Sequence, residues 1–117
     1  MSDDKRNAVV VCRQEDIRDL EARGFEFGDP ELRLTGFVVR KDGGVYAYRN
    51  VCPHAGHRLN WKPDAFLTRD RDLIMCSMHG AIFDIESGVC IGGPCPGRSL
   101  ARLRVEIVSG EIVVYPD

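Results

Sequence analysis

The sequence turns on two stretches: Cys52-Pro53-His54-Ala55-Gly56-His57-Arg58-Leu59, and Cys76-Ser77-Met78-His79-Gly80-Ala81-Ile82-Phe83-Asp84. They set a Cys-x-His and a Cys-x-x-His pair 21 residues apart, which is two thiols and two imidazoles. Thiolates are soft donors that suit iron bound to sulfide, whereas neutral imidazoles leave their iron with less negative charge to oppose reduction. The same four side chains also make an ordinary tetrahedral zinc set. Zinc sites more often use Cys-x-x-Cys and His-x-x-x-His pairs, and Gly56 and Gly80 make better sense where backbone N–H groups must approach bridging sulfides.

Working outward, all three histidines (54, 57 and 79) fall in one 28-residue stretch with Cys52 and Cys76. Five cysteines, at 12, 52, 76, 90 and 95, are many for a cytosolic chain, so metal binding is the first use to consider. A cytoplasmic location is the expectation, because residues 1–8 are polar and charged and no apolar run approaches the length of a membrane span. At 117 residues and 44% hydrophobic content, the chain suits one domain, 1–117, with a modest core and no room for a second catalytic unit. A net charge of -2 gives no basic surface for nucleic acid.

Short β-branched runs separated by Gly, Asp and Asn predict a mostly β fold. Strands are expected at 8–12, 25–27, 34–40, 45–49, 73–76 and 81–85, with a turn at Asp42-Gly43-Gly44. A closing hairpin joins 103–108 to 111–115 through Ser109-Gly110. Residues 14–22 are expected to form a short helix, and residues 60–72, rich in Asp, Arg and Pro, an exposed insertion. All three His, four of the five Cys, four of the six Pro and half of the 12 Gly lie in an outer portion of about 50–98, where loops carried on a sheet usually hold the site.

The two motifs, extended by Ser87-Gly88 and by Gly92-Gly93-Pro94-Cys95-Pro96, resemble the Rieske family over roughly residues 34–115. The resemblance implies an antiparallel β sandwich with a small cluster-binding subdomain and one 2Fe-2S cluster. Cys52 and Cys76 would hold the inner iron, and His54 and His79 the outer iron near the protein tip. It also implies that the proline loop closes over the cluster. His57 reads as a solvated loop residue or as a group beside the outer iron. Cys90 and Cys95 read as thiols, Cys12 as a packed strand residue, and Trp61 as a hydrophobic cap or partner contact.

Within that family, the high-potential respiratory proteins carry an extra Cys in each cluster loop, where this chain has His57 and Met78. They also place Ser and Tyr hydroxyls where it has Ala81 and Phe83. Fewer hydrogen-bond donors disfavour the reduced cluster, so the expected potential lies at the low end of the Rieske range, about -150 mV. Oxygenase subunits add a mononuclear iron held by two His and a carboxylate, and here only His57 remains for it. What the resemblance implies is a free-standing ferredoxin, a carrier rather than a catalyst, taking electrons from a flavin reductase to a terminal oxygenase with no small-molecule substrate of its own. The alternatives are a small Rieske subunit of a larger reductase, such as nitrite reductase, and a redox sensor using Cys90 and Cys95.

Overall fold

A computed structural model describes residues 8–28, 34–53, 58–60, 62–77, 80–94 and 96–115. The strands are β1 (Val9–Arg13), β2 (Ala22–Phe27), β3 (Leu34–Lys41), β4 (Gly44–Arg49), β5 (Ile74–Met75), β6 (Ile82–Phe83), β7 (Cys90–Gly92), β8 (Arg102–Val108) and β9 (Glu111–Tyr115). Every strand pair is antiparallel. Six strands form one sheet in the order β1-β9-β8-β4-β3-β2, and the remaining three form a second sheet, β5-β6-β7.

Two turns fix the registers of the large sheet. Asp42 and Gly43 have φ of +52° and +82°, and Ser109 and Gly110 have +51° and +82°. Positive φ at both central residues is the type I′ geometry, whose twist matches that of paired strands. Lys41 therefore lies opposite Gly44, and Val108 opposite Glu111. A one-residue slip in either hairpin would turn its apolar set to the wrong face.

Strand β3 is the spine. Phe37, Val38 and Val39 are consecutive and fully buried, so both faces of the strand are covered. Phe37 and Val39 join Tyr48, Phe66, Ile74, Phe83 and Ile85 in the core shared with the small sheet. Val38 and Ala47, direct partners across β3 and β4, face the opposite way onto Ile17, Leu103, Ile112 and Val114. Burying each large apolar side chain is worth roughly 1.5–3 kcal/mol. In β1, the register skips between Val10 and Cys12. That bulge lets both Val11 and Cys12 pack on the second core, as expected for Cys12.

Two expectations are corrected. Residues 14–22 form no helix: a single 3-10 turn covers Gln14–Asp16. By residue 20 the backbone already pairs with β3, Leu20 N–H donating to the Arg40 carbonyl and Arg40 N–H to that of Glu21. Those groups are the ones a helix would need, and a nine-residue helix is too short to compete. Residues 60–72 are not simply an exposed insertion. Phe66 is buried and stacks on Phe37 with ring centroids 4.3 Å apart, and Leu67 bridges to Ile74. Among the described residues of this stretch, 62–64 and 69–72 are exposed and the others half-buried or buried. Among the described residues no helix is long and apolar enough to cross a membrane.

Candidate metal centre

The small sheet and the end of β4 carry three loops that meet. The first leaves β4 at Asn50, the one buried polar residue among those described. Its backbone N–H donates to the Thr35 carbonyl at 2.9 Å, which fixes it to β3. Its side chain closes the loop: Oδ1 accepts from Leu59 N–H at 2.7 Å and Nδ2 donates to Asn60 Oδ1 at 2.8 Å. The chain is thereby fixed at Asn50 and again at Leu59, and Cys52 near the first of these is fully buried.

The second loop is a tight turn between β5 and β6. Cys76 N–H donates to the Ala81 carbonyl and Gly80 N–H to the Cys76 carbonyl, each at 2.9 Å. Gly80 has a φ of +72°, which glycine adopts without strain. Cys76 is fully buried, and Ser77 beside it donates to Leu59 from both its N–H and its hydroxyl. The third loop leaves β7. Cys90 N–H donates to the Arg98 carbonyl at 2.7 Å and Gly97 N–H to the Cys90 carbonyl at 3.2 Å, closing residues 91–97.

That third loop is fastened to the other two. A Cβ at Gly93 would lie 2.7 Å from Ala81 Cα and 2.9 Å from the Gly80 carbonyl oxygen, so only glycine permits this approach. Arg98 Nη1 donates to the Pro53 carbonyl at 2.9 Å, across to the first loop. A turn below β6 supports the assembly. Asp84 accepts from the N–H and hydroxyl of Ser87, each at 2.8 Å, and these bonds hold its carboxyl below the usual range. Tyr48 donates to the Ile85 carbonyl at 2.6 Å, and burial pushes its hydroxyl up to about 12.

Of the residues singled out in the sequence, Cys52 and Cys76 are brought into one core, from loops bonded to each other. His54, His79, His57, Met78, Trp61 and Cys95 lie outside the described residues. Among the described residues no three His, Cys, Asp or Glu side chains cluster as metal ligands, so the centre is tested on its cysteine half. That half fits an iron–sulfur cluster: two buried sulfur donors on loops joined at the Leu59 carbonyl, in an apolar surround of Leu59, Ala81 and Phe83. Ala81 and Phe83 are fully buried there and carry no hydroxyl. Cys90 is buried too, its thiol donating to the Gly92 carbonyl at 3.1 Å. Asn50, Ser77 and Arg98 were not readable as site residues, because nothing in their spacing marks the bonds they make. The one available hint is that Asn50 and Asn60 bracket the first motif.

Comparison with known proteins agrees with this geometry. The Rieske [2Fe-2S] domain family matches residues 7–116. The ferredoxin component of an alkene monooxygenase system of Xanthobacter autotrophicus is 35% identical over 80 residues, 68% of this chain and 59% of that protein. A carnitine monooxygenase oxygenase subunit of Acinetobacter pittii is 25% identical over 112 residues, 82% of this chain and 29% of that one. The chain thus spans less than two thirds of the length of either relative. Among solved structures, the ferredoxin of carbazole 1,9a-dioxygenase from Nocardioides aromaticivorans IC177 superposes with a TM-score of 0.74 at 24% identity, covering 95% of this chain and 99% of that one. That likeness establishes the antiparallel β fold.

Proposed function

The chain belongs to the Rieske [2Fe-2S] domain family, whose members hold one 2Fe-2S cluster, and from that membership we propose that it is a single-electron carrier between a flavin reductase and a terminal oxygenase. The observation that carries the reading is the placing of two buried cysteines, Cys52 and Cys76, in one core by loops joined at the Leu59 backbone. In this reading Cys52 and Cys76 ligate the inner iron, and His54 and His79 the outer one. When bound, the cluster supplies one-electron redox chemistry.

The chain's own residues do the rest. Leu59, Phe83 and the buried cysteines exclude water from the inner side. Asn50, Ser77 and Arg98 hold the three loops in register, so the ligands need little rearrangement on electron transfer. Ala81 and Phe83 withhold the hydrogen bonds that would favour reduction, keeping the potential low. The relative named as a ferredoxin component supports the carrier role, and the family match over nearly all the chain supports a single-domain carrier. The cytoplasmic location expected from the sequence goes with it.

Purified protein should contain iron and acid-labile sulfide in equal amounts and, after dithionite, give the low-average-g EPR signal of a Rieske centre. His54→Ala and His79→Ala should each lose that signal. Stoichiometric zinc with no visible absorption would overturn the ligand assignment. Failure of the holoprotein to pass electrons from any reductase to any oxygenase would overturn the carrier role alone.

A further inference from the structure

Arg98 stands out among the charged residues around the three loops. It is exposed, yet its guanidinium is aimed at a backbone oxygen 45 residues away, the carbonyl of Pro53, at 2.9 Å. Pro53 sits between Cys52 and His54, so the accepting oxygen belongs to the peptide that leads into a proposed outer-iron ligand. Among the described residues no carboxylate pairs with Arg98: the ion pairs there join Arg13 to Glu15 and Lys41 to Glu86. Its backbone carbonyl is used as well, accepting from Cys90 N–H at 2.7 Å at the foot of the third loop. One residue therefore closes the third loop with its backbone and fastens that loop to the first with its side chain.

A salt bridge would have compensated the guanidinium; a neutral carbonyl leaves its full charge in place. A fixed cation beside a group that gains one negative charge favours the reduced form. Because the donor is exposed, that influence is screened by salt. Building on the ligand reading above, we propose that Arg98 is a positioning residue that latches the 92–98 loop onto the Pro53 peptide and, through its uncompensated charge, raises the reduction potential of the centre.

Three variants separate latch from charge. Arg98→Lys keeps the cation, Arg98→Gln keeps a neutral N–H donor, and Arg98→Met keeps neither. Midpoint potentials measured by voltammetry at low salt should fall in Arg98→Gln and Arg98→Met and stay near wild type in Arg98→Lys. The wild-type excess over Arg98→Met should shrink as ionic strength rises from 0.01 to 1 M, over which the screening length drops from about 30 to about 3 Å. Loss of visible absorption in chelator should be about tenfold faster in Arg98→Met, the effect of one charge-assisted hydrogen bond. Equal potentials for wild type and Arg98→Met at low salt would overturn the proposal while leaving the cluster assignment intact. A wild-type protein without the Rieske EPR signal would overturn both.

Discussion

Ser77 meets Leu59 twice: its backbone N–H and its hydroxyl both donate to the Leu59 carbonyl, at 2.9 and 2.8 Å. The Leu59 N–H is taken by Asn50, so this one residue closes the first loop with its N–H and joins it to the second with its carbonyl. The two contacts differ in what their loss leaves behind. Ser77→Ala removes one of two donors to an oxygen that stays bonded, and should cost about 0.5–1.5 kcal/mol. Asn50→Ala strands a buried N–H and should cost about 1–3 kcal/mol. Denaturant midpoints at unchanged m-value would check this order. Asn50→Ala should also release iron faster than Ser77→Ala; the reverse order would show that the hydroxyl, not the amide, holds the loops.

Tyr48 gives a pH prediction. Its hydroxyl is buried against the Ile85 carbonyl and titrates at about 12 rather than 10. A folded-state value above the unfolded one means that the native protein holds its proton more tightly. The stability this supplies is complete below pH 10 and is lost as pH rises from 10 to 12. Two units correspond to about 2–3 kcal/mol. Tyr48→Phe should be destabilised at pH 7, and its alkaline unfolding curve should lack that part of the slope. If wild type and variant lose stability in parallel above pH 10, the hydroxyl is not the group responsible.

The hairpins were legible because their signals are local. Asp42-Gly43 and Ser109-Gly110 need no knowledge of the rest of the chain, and apolar runs 34–40 and 45–49 supply the strands between. The family resemblance rested on the Cys and His motifs, which are local too. Phe66 is hard to read from the sequence because the apolar run Ala65-Phe66-Leu67 is short and set between Pro63-Asp64 and Thr68-Arg69-Asp70. Its burial comes from stacking on Phe37, 29 positions earlier in the sequence, a contact no window reports. The helix expected at 14–22 failed for a similar reason, since Arg40 claims the backbone of residues 20 and 21. Strand β7 was hidden in glycines and proline that mark a loop, although Cys90–Gly92 pairs with β6.

The buried pair Ala81 and Phe83 predicts a low potential. Neither can donate a hydrogen bond to sulfur, and Phe83 lies in β6 opposite both Ile74 and Cys90, so its ring is fixed. Ala81→Ser combined with Phe83→Tyr should raise the midpoint. For one electron, ~1 kcal/mol of preferential stabilisation of the reduced state is roughly 40 mV. A wild-type midpoint well above zero in voltammetry would contradict the premise, and an unchanged midpoint in the double variant would show that the new hydroxyls do not reach the cluster.

Docking of redox partners should centre on the tip where the three loops meet, including Arg58 and residues 92–97. Gly93, Pro94, Pro96 and Gly97 are exposed there, and Ile91 at the loop's foot is 57% exposed, so the tip offers an apolar patch with cations beside it. Small patches of this kind suit partners that separate after each transfer. Arg58→Glu should slow reduction by the cognate reductase a few-fold by weakening encounter. Gly93→Val should slow it more: its φ is +88°, and the new Cβ would press on Ala81 and the Gly80 carbonyl, lifting the third loop at a cost of about 1–3 kcal/mol. The EPR signal should persist in both, since neither residue is a proposed ligand. Glu106→Lys, exposed on β8 in the other sheet, serves as the control and should transfer electrons at the wild-type rate. Wild-type rates for Arg58→Glu and Gly93→Val, together with loss of transfer in Glu106→Lys, would place the docking face on the large sheet instead.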